Sequence, residues 1–378
     1  MSPHPPRKIL IPLCYAAMMA LSIGINLLPV FLTTLSVHFG GPSGLTHEAL
    51  GRIGAVLFAG LTAGILLTGP LADRFGTKPF ALMGNLLTCL SLVACALAPS
   101  YATLLAACFC VGLGAGILDM VLSPVVAALE PERRSAAMNL LHSFYCLGAA
   151  ATILIGMVAL AFHMSWTAVC LVLAPFPLVV ALLMGLLPFP PHVQEGHSRV
   201  RLRDLMRVRW FVLCLVAIAL GGATELGMAQ WLPAYAETIL GYGKGTAALG
   251  LLLFSLAMAL GRIVIGLASH RLSPVTLMFA CCASSVVLFL AASFSPLPWL
   301  AYTCCILAGF AGSALWPTTL ALAADRYPQG GATMFGALAA LGNAGGIVMP
   351  WLVGSVADTV NLRWGLATSA VAPLLMAG

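Results

Sequence analysis

The feature that most constrains this chain is a succession of apolar runs, each long enough to cross a lipid bilayer as a helix. A spanning helix needs about 20 predominantly apolar residues. Hydrophobic residues make up 61% of the 378 residues and charged residues only 7%, whereas a soluble domain carries roughly 25% charged residues. We therefore predict an all-α integral membrane protein with twelve transmembrane helices. The predicted spans are residues 9–39, 48–72, 79–98, 101–129, 135–162, 165–188, 208–239, 246–269, 274–293, 297–324, 331–357 and 361–378.

The loops between these runs predict the orientation of the protein. If the N-terminus is cytoplasmic, most of the 17 lysines and arginines fall in inner loops, as the positive-inside rule requires. Both termini are therefore predicted to be cytoplasmic, in a multi-pass protein of the cell (inner) membrane. This topology accounts for the net charge of +6 without a nucleic-acid partner. The first run is too long for a signal-peptide core, which has roughly 7–15 residues.

A polar, arginine-rich stretch between the sixth and seventh runs divides the chain into halves. We predict an N-terminal six-helix half at residues 1–188, a cytoplasmic linker at 189–207 and a C-terminal six-helix half at 208–378. Within this stretch, the segment Arg199–Arg209 has two interpretations. It is either a basic amphipathic helix that lies on the inner leaflet or a solvated linker.

A charged turn joins the second and third runs, with the sequence Gly69-Pro70-Leu71-Ala72-Asp73-Arg74-Phe75-Gly76-Thr77-Lys78. The helix that begins near Glu48 is predicted to end there, because Gly76 and Pro79 break helices. The turn resembles the loop between the second and third membrane helices of the major facilitator superfamily of transporters. That resemblance implies two pseudo-symmetric six-helix halves that work by alternating access.

The charges of this turn suggest a latch at the cytoplasmic face. An aspartate at a helix end can pair with an arginine and with the positive N-terminus of another helix, and such a contact would break when the halves move. The other interpretation is that these charges only keep the loop inside. The candidate latch residues are Asp73, Arg74, Lys78, Arg133 and Arg134.

The two halves also repeat each other in sequence. An offset of 197 residues pairs Gly112 with Gly309 and Gly148 with Gly345. Repeated six-helix halves are expected for this class of transporter, with substrate sites near the bilayer midplane at the repeat interface.

Two ionisable side chains in the N-terminal half are candidates for ion coupling. Asp119 precedes Glu130, at the inner end of the fourth run, by 11 residues, which places it about 16 Å deep in the membrane. A carboxyl at that depth is neutral or paired, because an isolated charge costs too much free energy. His142 lies in the fifth run on the same helical face as Asn139, and a histidine can carry protons near neutral pH. A structural pairing for Asp119 and a neutral hydrogen-bonding role for His142 are the alternatives.

In the C-terminal half, the seventh run carries polar groups suited to a sugar. Glu225 is followed by Gln230 and Trp231. Acid and amide groups accept hydrogen bonds from sugar hydroxyls, and the apolar face of a sugar stacks on tryptophan. Helix packing is the alternative role. Weaker candidates for substrate binding, each near the midplane, are Asn26, Trp316 and Asn343.

Patterns in the fourth, fifth and seventh predicted helices resemble one group of families within the superfamily. These helices carry Gly112-x-Gly114-x-Gly116-x-x-Asp119, Asn139-x-x-His142 and Glu225-x-Gly227-x-x-x-Trp231. These patterns resemble the fucose–galactose–glucose proton symporters and their sodium-dependent glucose-transporting relatives. On that resemblance, Asp119 is the proton- or cation-coupling acid, and Asn139, Glu225 and Trp231 contact the substrate.

The sequence as a whole predicts a secondary active transporter that moves a sugar or similar small polar solute with a proton or sodium ion. We expect a monomer that is not an enzyme, because no Gly-x-x-x-x-Gly-Lys-[Ser/Thr] loop and no catalytic or metal-ligand grouping occurs. No cofactor is expected, and the twelve cysteines are interpreted as packing residues. Two alternatives stay open, which are proton-coupled efflux of amphipathic compounds and a non-transporting membrane sensor on the same fold.

Overall fold

The computed structural model describes residues 7–130, 134–190, 202–268, 273–327 and 331–378. Nearly all of these residues are helical, and a 3₁₀ turn occupies Gly41–Ser43. The α-helices of this part of the chain are α1 (Arg7–Val30), α2 (Leu32–Gly40), α3 (His47–Phe75), α4 (Thr77–Ala96), α5 (Tyr101–Leu129), α6 (Arg134–Ala161), α7 (Trp166–Leu173), α8 (Pro175–Gly185), α9 (Leu202–Leu205), α10 (Arg209–Thr238), α11 (Lys244–Ala268), α12 (Pro274–Phe294), α13 (Pro298–Gly312), α14 (Leu315–Arg326), α15 (Gly331–Thr359), α16 (Leu362–Thr368) and α17 (Val371–Ala377).

The predicted all-α membrane architecture is confirmed. Within the described residues, eleven helical segments are long and apolar enough to cross a membrane, and a shorter apolar segment, Leu362–Ala377, follows them. That last segment corresponds to the twelfth predicted run and is interrupted between α16 and α17. The sixth and tenth runs are also interrupted, between α7 and α8 and between α13 and α14. Pro175 starts α8, where a missing N–H removes a hydrogen bond from the spanning helix.

The residues group into two compact units. The first comprises Met1–Leu28 and Val56–His197, and the second comprises Pro29–Ala55 and Ser198–Gly378. The division of the sequence into halves at residues 188 and 208 stays a prediction, and residues 29–55 group with the second unit. The arrangement of side chains is therefore described below for each unit in turn.

The turn after α3 forms where the sequence predicts it, with one difference. Gly76 has a φ of 81°, a left-handed conformation that glycine adopts without a steric penalty, and it separates α3 from α4. Pro79 does not break a helix. It lies in the first turn of α4, where the missing N–H of proline has no intrahelical acceptor to lose.

The linker is described only from Leu202 onwards. Between this residue and α10, the chain forms the four-residue helix α9 and then a turn. A continuous amphipathic helix over Arg199–Arg209 is therefore wrong for residues 202–209. Residues 191–201 of the predicted linker lie outside the described residues.

The glycines paired by the sequence repeat allow the same close contact between two helices in each unit. A Cβ at Gly112 on α5 would overlap the carbonyl oxygen of Leu57 on α3. Its repeat partner, Gly309 on α13, would place a Cβ 2.5 Å from the carbonyl oxygen of Phe254 on α11. Both contacts require two helix backbones to approach closely, which small residues permit in membrane proteins.

The second glycine pair behaves in the same way. A Cβ at Gly148 on α6 would lie 2.8 Å from the Cα of Met19 on α1. At Gly345 on α15 it would overlap the carbonyl oxygen of Ala219 on α10. The 197-residue repeat thus fixes equivalent helix contacts in the two units, although it consists mainly of glycines.

We predict that Gly345→Val destabilises the protein, because the backbone of α10 leaves no volume for a side chain. Overpacking of this kind costs about 1–3 kcal/mol. Gly336 lies on the same helix, and no atom of the described residues lies within 4 Å of its hypothetical Cβ, so Gly336→Ala serves as the control. The midpoint of thermal unfolding of the detergent-purified protein should fall for Gly345→Val and stay the same or rise for Gly336→Ala. An equal midpoint for both variants would contradict the close α10–α15 contact.

Candidate substrate and coupling sites

Asp119 and His142, the two candidates for ion coupling, both lie in the first unit. Asp119 is half-buried on α5 and interacts electrostatically with His142 on α6. Ser123, one helical turn after Asp119 and therefore on the same face of α5, places its Oγ 3.5 Å from His142 Nε2. The imidazole is thus flanked by a carboxyl and a hydroxyl, an arrangement that can hold and transfer a proton.

Asn26 lies in the first unit on α1, beside the contact with α6. Its Nδ2 donates a hydrogen bond to the carbonyl oxygen of Ser22 at 2.9 Å. Ser22 Oγ in turn donates to the carbonyl oxygen of Tyr145 on α6 at 2.8 Å. Nδ2 of Asn26 is thus bonded within its own helix, and a role for this residue in substrate binding stays a prediction. The side chain of Asn139 lies outside the described part of the chain.

The second unit contains an ion pair within its spanning helices. Arg262 Nη2 on α11 lies 3.4 Å from Glu225 Oε2, which belongs to α10, and their side chains are 31% and 17% exposed. Glu225 is near the middle of the 30-residue helix α10. Removing a single partner of such a pair leaves an uncompensated charge in a poorly solvated position.

Arg262 also contacts an interrupted helix. Its Nε lies 3.4 Å from the carbonyl oxygen of Ser313, the residue at which α13 ends before α14 begins. Arginines near the end of a spanning helix usually extend to the membrane surface, but this guanidinium reaches towards the middle of α10. Discontinuous helices commonly form substrate and ion sites in secondary transporters, through their helix ends and free carbonyl groups. The sequence interpretation gave Arg262 no role, although its position inside an apolar run is the same signal that identified Asp119.

Gln230 and Trp231 are packed inside the second unit. Trp231 is 1% exposed, and its Nε1 donates to the carbonyl oxygen of Pro350 at 3.0 Å. The Gln230 side chain lies against Gly54 of α3. Stacking on a sugar needs an accessible ring face, and the ring of Trp231 has none in this conformation. Substrate contact by either residue stays a prediction without support from their geometry.

Trp316 and Asn343 lie close to the contact between α10 and α15. The half-buried Trp316, near the start of α14, places its ring atoms over Gly342 and within 3.1 Å of the position that a Cβ at Gly222 would occupy. Asn343 is 7% exposed. Because Trp316 is one helical turn beyond Ser313, an aromatic ring and the Arg262 guanidinium flank the same interruption.

Comparison with known proteins decides the family. The sequence profile of the Major Facilitator Superfamily matches residues 14–350 and 240–378, which is nearly the whole chain. This protein is a member of the major facilitator superfamily. The prediction from the Gly69–Lys78 turn is confirmed at this level.

Individual relatives of this major facilitator protein differ in what they carry. A gentisate transporter of Corynebacterium glutamicum is 27% identical over 345 residues, which cover 86% of this chain and 76% of the relative. The multidrug resistance protein MdtL of Escherichia coli O157:H7 is 28% identical over 295 residues, covering 74% and 71%. A crystal structure of a bacterial homolog to the human lysosomal transporter Spinster matches with a TM-score of 0.81 and 15% identity, over 99% and 96% of the two chains.

These relatives do not support the narrower resemblance to the fucose–galactose–glucose symporters. The helix-four pattern that suggested it consists largely of glycines, and these glycines serve close helix packing in this structure. Glycine patterns therefore report the shared architecture of the superfamily better than they report a substrate.

The residues of the predicted cytoplasmic latch are only partly described. Lys78 Nζ donates to the carbonyl oxygens of Gly185 and Leu187, both at 2.9 Å, so it binds the C-terminal end of α8 within the first unit. The Arg74 guanidinium lies 5.3 Å from the ring centroid of its neighbour Phe75. Arg133 and the side chains of Asp73 and Arg134 lie outside the described residues. A latch role for the five residues stays a prediction.

A carboxylate that sequence reasoning missed holds the N-terminus of α3. Asp358, at the end of α15, accepts hydrogen bonds from the backbone N–H groups of His47 at 2.8 Å and Glu48 at 2.7 Å. Trp351 Nε1 donates to Glu48 Oε1 at 2.6 Å. Asp358 therefore caps α3, although it lies 311 positions away from His47 in the sequence. No local sequence signal reveals such a cap.

We predict that Asp358→Ala destabilises the docking of α3 on α15, because two backbone N–H groups of α3 lose their acceptor. Loss of a capping side chain costs about 0.5–2 kcal/mol. Asp358→Asn keeps one carbonyl oxygen as an acceptor and should have a smaller effect. The midpoint of thermal unfolding should be highest for the wild type, lower for Asp358→Asn and lowest for Asp358→Ala. An alanine variant as stable as the wild type would show that the cap does not stabilise the fold.

Proposed function

We propose that this protein is a secondary transporter for a small organic anion, with an aromatic carboxylate as the first candidate. The observation that carries the proposal is the pair formed by Arg262 and Glu225 beside the interruption between α13 and α14. A neutral sugar has no need of a cation in its site. A carboxylate does, since arginine binds carboxylates through two parallel N–H donors.

The pair suggests how an anion is taken up. The substrate carboxylate and the Glu225 carboxylate are alternative acceptors for the same guanidinium. Binding of the substrate therefore requires Arg262 to exchange the Glu225 carboxylate for the substrate carboxylate. Trp316, one turn beyond Ser313, supplies an aromatic surface suited to an aromatic substrate.

The coupling proton is assigned to the first unit. Asp119 and His142 interact electrostatically there, and Ser123 is within 3.5 Å of the imidazole. Proton relays in membrane transporters use carboxyl and imidazole groups of this kind.

The relatives favour this substrate class and also supply a second candidate. Gentisate, the compound in the name of the 27% identical relative, is an aromatic carboxylate. The similarly related MdtL carries a multidrug resistance name, which favours export of amphipathic compounds as the alternative. Measuring uptake into cells distinguishes import from export. Measuring binding distinguishes organic anions from amphipathic compounds as substrates.

Binding to the purified protein tests the substrate class before any transport is measured. Gentisate and benzoate should bind at least tenfold more tightly than benzamide, because one charge-assisted hydrogen bond contributes about 1.5–3 kcal/mol. Benzamide keeps the ring and removes the charge, and glucose tests the sugar prediction. Equal affinity for benzoate and benzamide, or binding of glucose alone, would refute the anion proposal.

A further inference from the structure

The N-terminal end of α10 carries a small open cavity that the transport function does not use. The cavity has a volume of about 350 Å³ and is lined by Met206, Arg207, Arg209, Val212 and Leu213. Both arginines are exposed. The apolar lining is exposed as well, with Met206 at 48% and Leu213 at 65%. Positive charge and apolar surface are therefore adjacent and open to the surroundings.

The aromatic residues beside the cavity place it at the depth of the lipid headgroups. The Trp210 and Tyr327 rings meet edge to face with centroids 5.8 Å apart. Tryptophan and tyrosine are enriched at the boundary between the hydrocarbon core and water. The positive-inside rule assigns this end of α10 to the cytoplasmic leaflet, where anionic lipids attract basic residues.

One face of α10 continues from the arginines into the hydrocarbon region. Residues three, four and seven positions apart share a helix face, so Arg209 is followed on its face by Val212, Leu213 and Val216. Leu213 and Val216 are 65% and 50% exposed, as expected for side chains that contact acyl chains. The order along this face, cationic and then apolar, matches the order of a phospholipid from phosphate to acyl chain.

We propose that this cavity binds one anionic phospholipid of the cytoplasmic leaflet, with its phosphate on Arg207 and Arg209 and an acyl chain along Val212 and Leu213. Guanidinium groups bind phosphate oxygens through paired N–H donors. A free phosphate ion would use only the arginines, whereas a lipid uses the apolar face as well. This assignment does not depend on which solute the transporter moves.

Retention of lipid by the purified full chain tests the assignment. The protein is solubilised from vesicles of phosphatidylcholine with phosphatidylglycerol, and native mass spectrometry counts the phosphatidylglycerol that stays bound. Arg207→Gln/Arg209→Gln should retain roughly tenfold less, since each basic residue near the surface adds a several-fold attraction. The charge-matched control, Lys8→Gln/Arg74→Gln, removes two exposed cations of the first unit and should retain as much as the wild type.

Two further arms separate a lipid from a phosphate ion and from a folding defect. Leu213→Gln should lower retention of phosphatidylglycerol, and excess inorganic phosphate should not displace the lipid from the wild type. The variant Arg207→Lys/Arg209→Lys keeps both charges. It should retain more phosphatidylglycerol than the glutamine variant if the loss in that variant comes from the missing charges and not from a folding defect. Unchanged retention in the glutamine variant, equal loss in the control, or displacement by inorganic phosphate would overturn the proposal.

Discussion

Arg262→Gln is expected to reduce transport of an aromatic carboxylate by at least tenfold. Glutamine keeps a hydrogen-bond donor but removes the charge and is shorter than arginine. A charge-assisted hydrogen bond contributes about 1.5–3 kcal/mol, and every 1.4 kcal/mol is a factor of ten in affinity. The control is Arg326→Gln, which removes an exposed arginine at the end of α14 in the same unit. Uptake by the control should equal that of the wild type.

The stability of the same variants tests whether Arg262 and Glu225 form one unit. Arg262→Gln alone leaves Glu225 without its guanidinium partner, and Glu225→Gln alone leaves the arginine without its carboxylate. Breaking a buried pair costs about 3–5 kcal/mol, and we expect about 2 kcal/mol here because Arg262 is 31% exposed. The double variant should be more stable than either single variant. If the stability losses of the two single variants add up in the double variant, and if Arg262→Gln takes up the carboxylate normally, then Arg262 and Glu225 do not form a coupled pair in the substrate site.

Asp119→Asn is expected to abolish accumulation against a gradient while exchange of substrate across the membrane continues. The asparagine side chain has nearly the same shape but cannot carry a proton, so binding and the conformational change persist without coupling. The expected loss is complete for accumulation, because energy enters only through the coupled ion. Asp204→Asn, at an exposed acid on α9, is the control and should accumulate substrate normally.

The pH dependence of exchange separates coupling from a structural role for Asp119. If Asp119 carries the proton, exchange by Asp119→Asn should lose the pH dependence that the wild type shows. If Asp119 only stabilises the contact between α5 and α6, the asparagine variant should lose exchange and accumulation together. Normal accumulation by Asp119→Asn would contradict the coupling role directly.

The sequence was sufficient for the features that depend on local composition. The lengths of the apolar runs predicted the spanning helices, and the glycine at position 76 predicted the end of α3. The paired glycines at an offset of 197 residues predicted a sequence repeat, and the structure shows that they make equivalent helix contacts, because a close backbone approach admits only small residues. Asp119 and His142 were each identified because an ionisable residue in an apolar run is costly.

The sequence was insufficient where a role depends on partners from distant helices. Trp231 had the composition of a sugar-stacking residue, but its indole N–H is bonded to the Pro350 carbonyl oxygen and its ring is buried. Arg262 was assigned no role, and its pairing with Glu225 depends on the packing of two separate helices. Asp358 caps a helix whose residues are 311 positions away. Such contacts follow from the packing of helices, which apolar runs alone do not specify.

The most direct test of the central claim is uptake of labelled gentisate into proteoliposomes that have an acidic exterior. Protein-free liposomes measure passive entry of the neutral acid, and glucose and benzamide replace gentisate in parallel. The account predicts protein-dependent accumulation of gentisate that ends when a protonophore collapses the gradient and that is absent in Asp119→Asn and Arg262→Gln. Accumulation of glucose instead, or gentisate uptake unaffected by the proton gradient and by both substitutions, would contradict it.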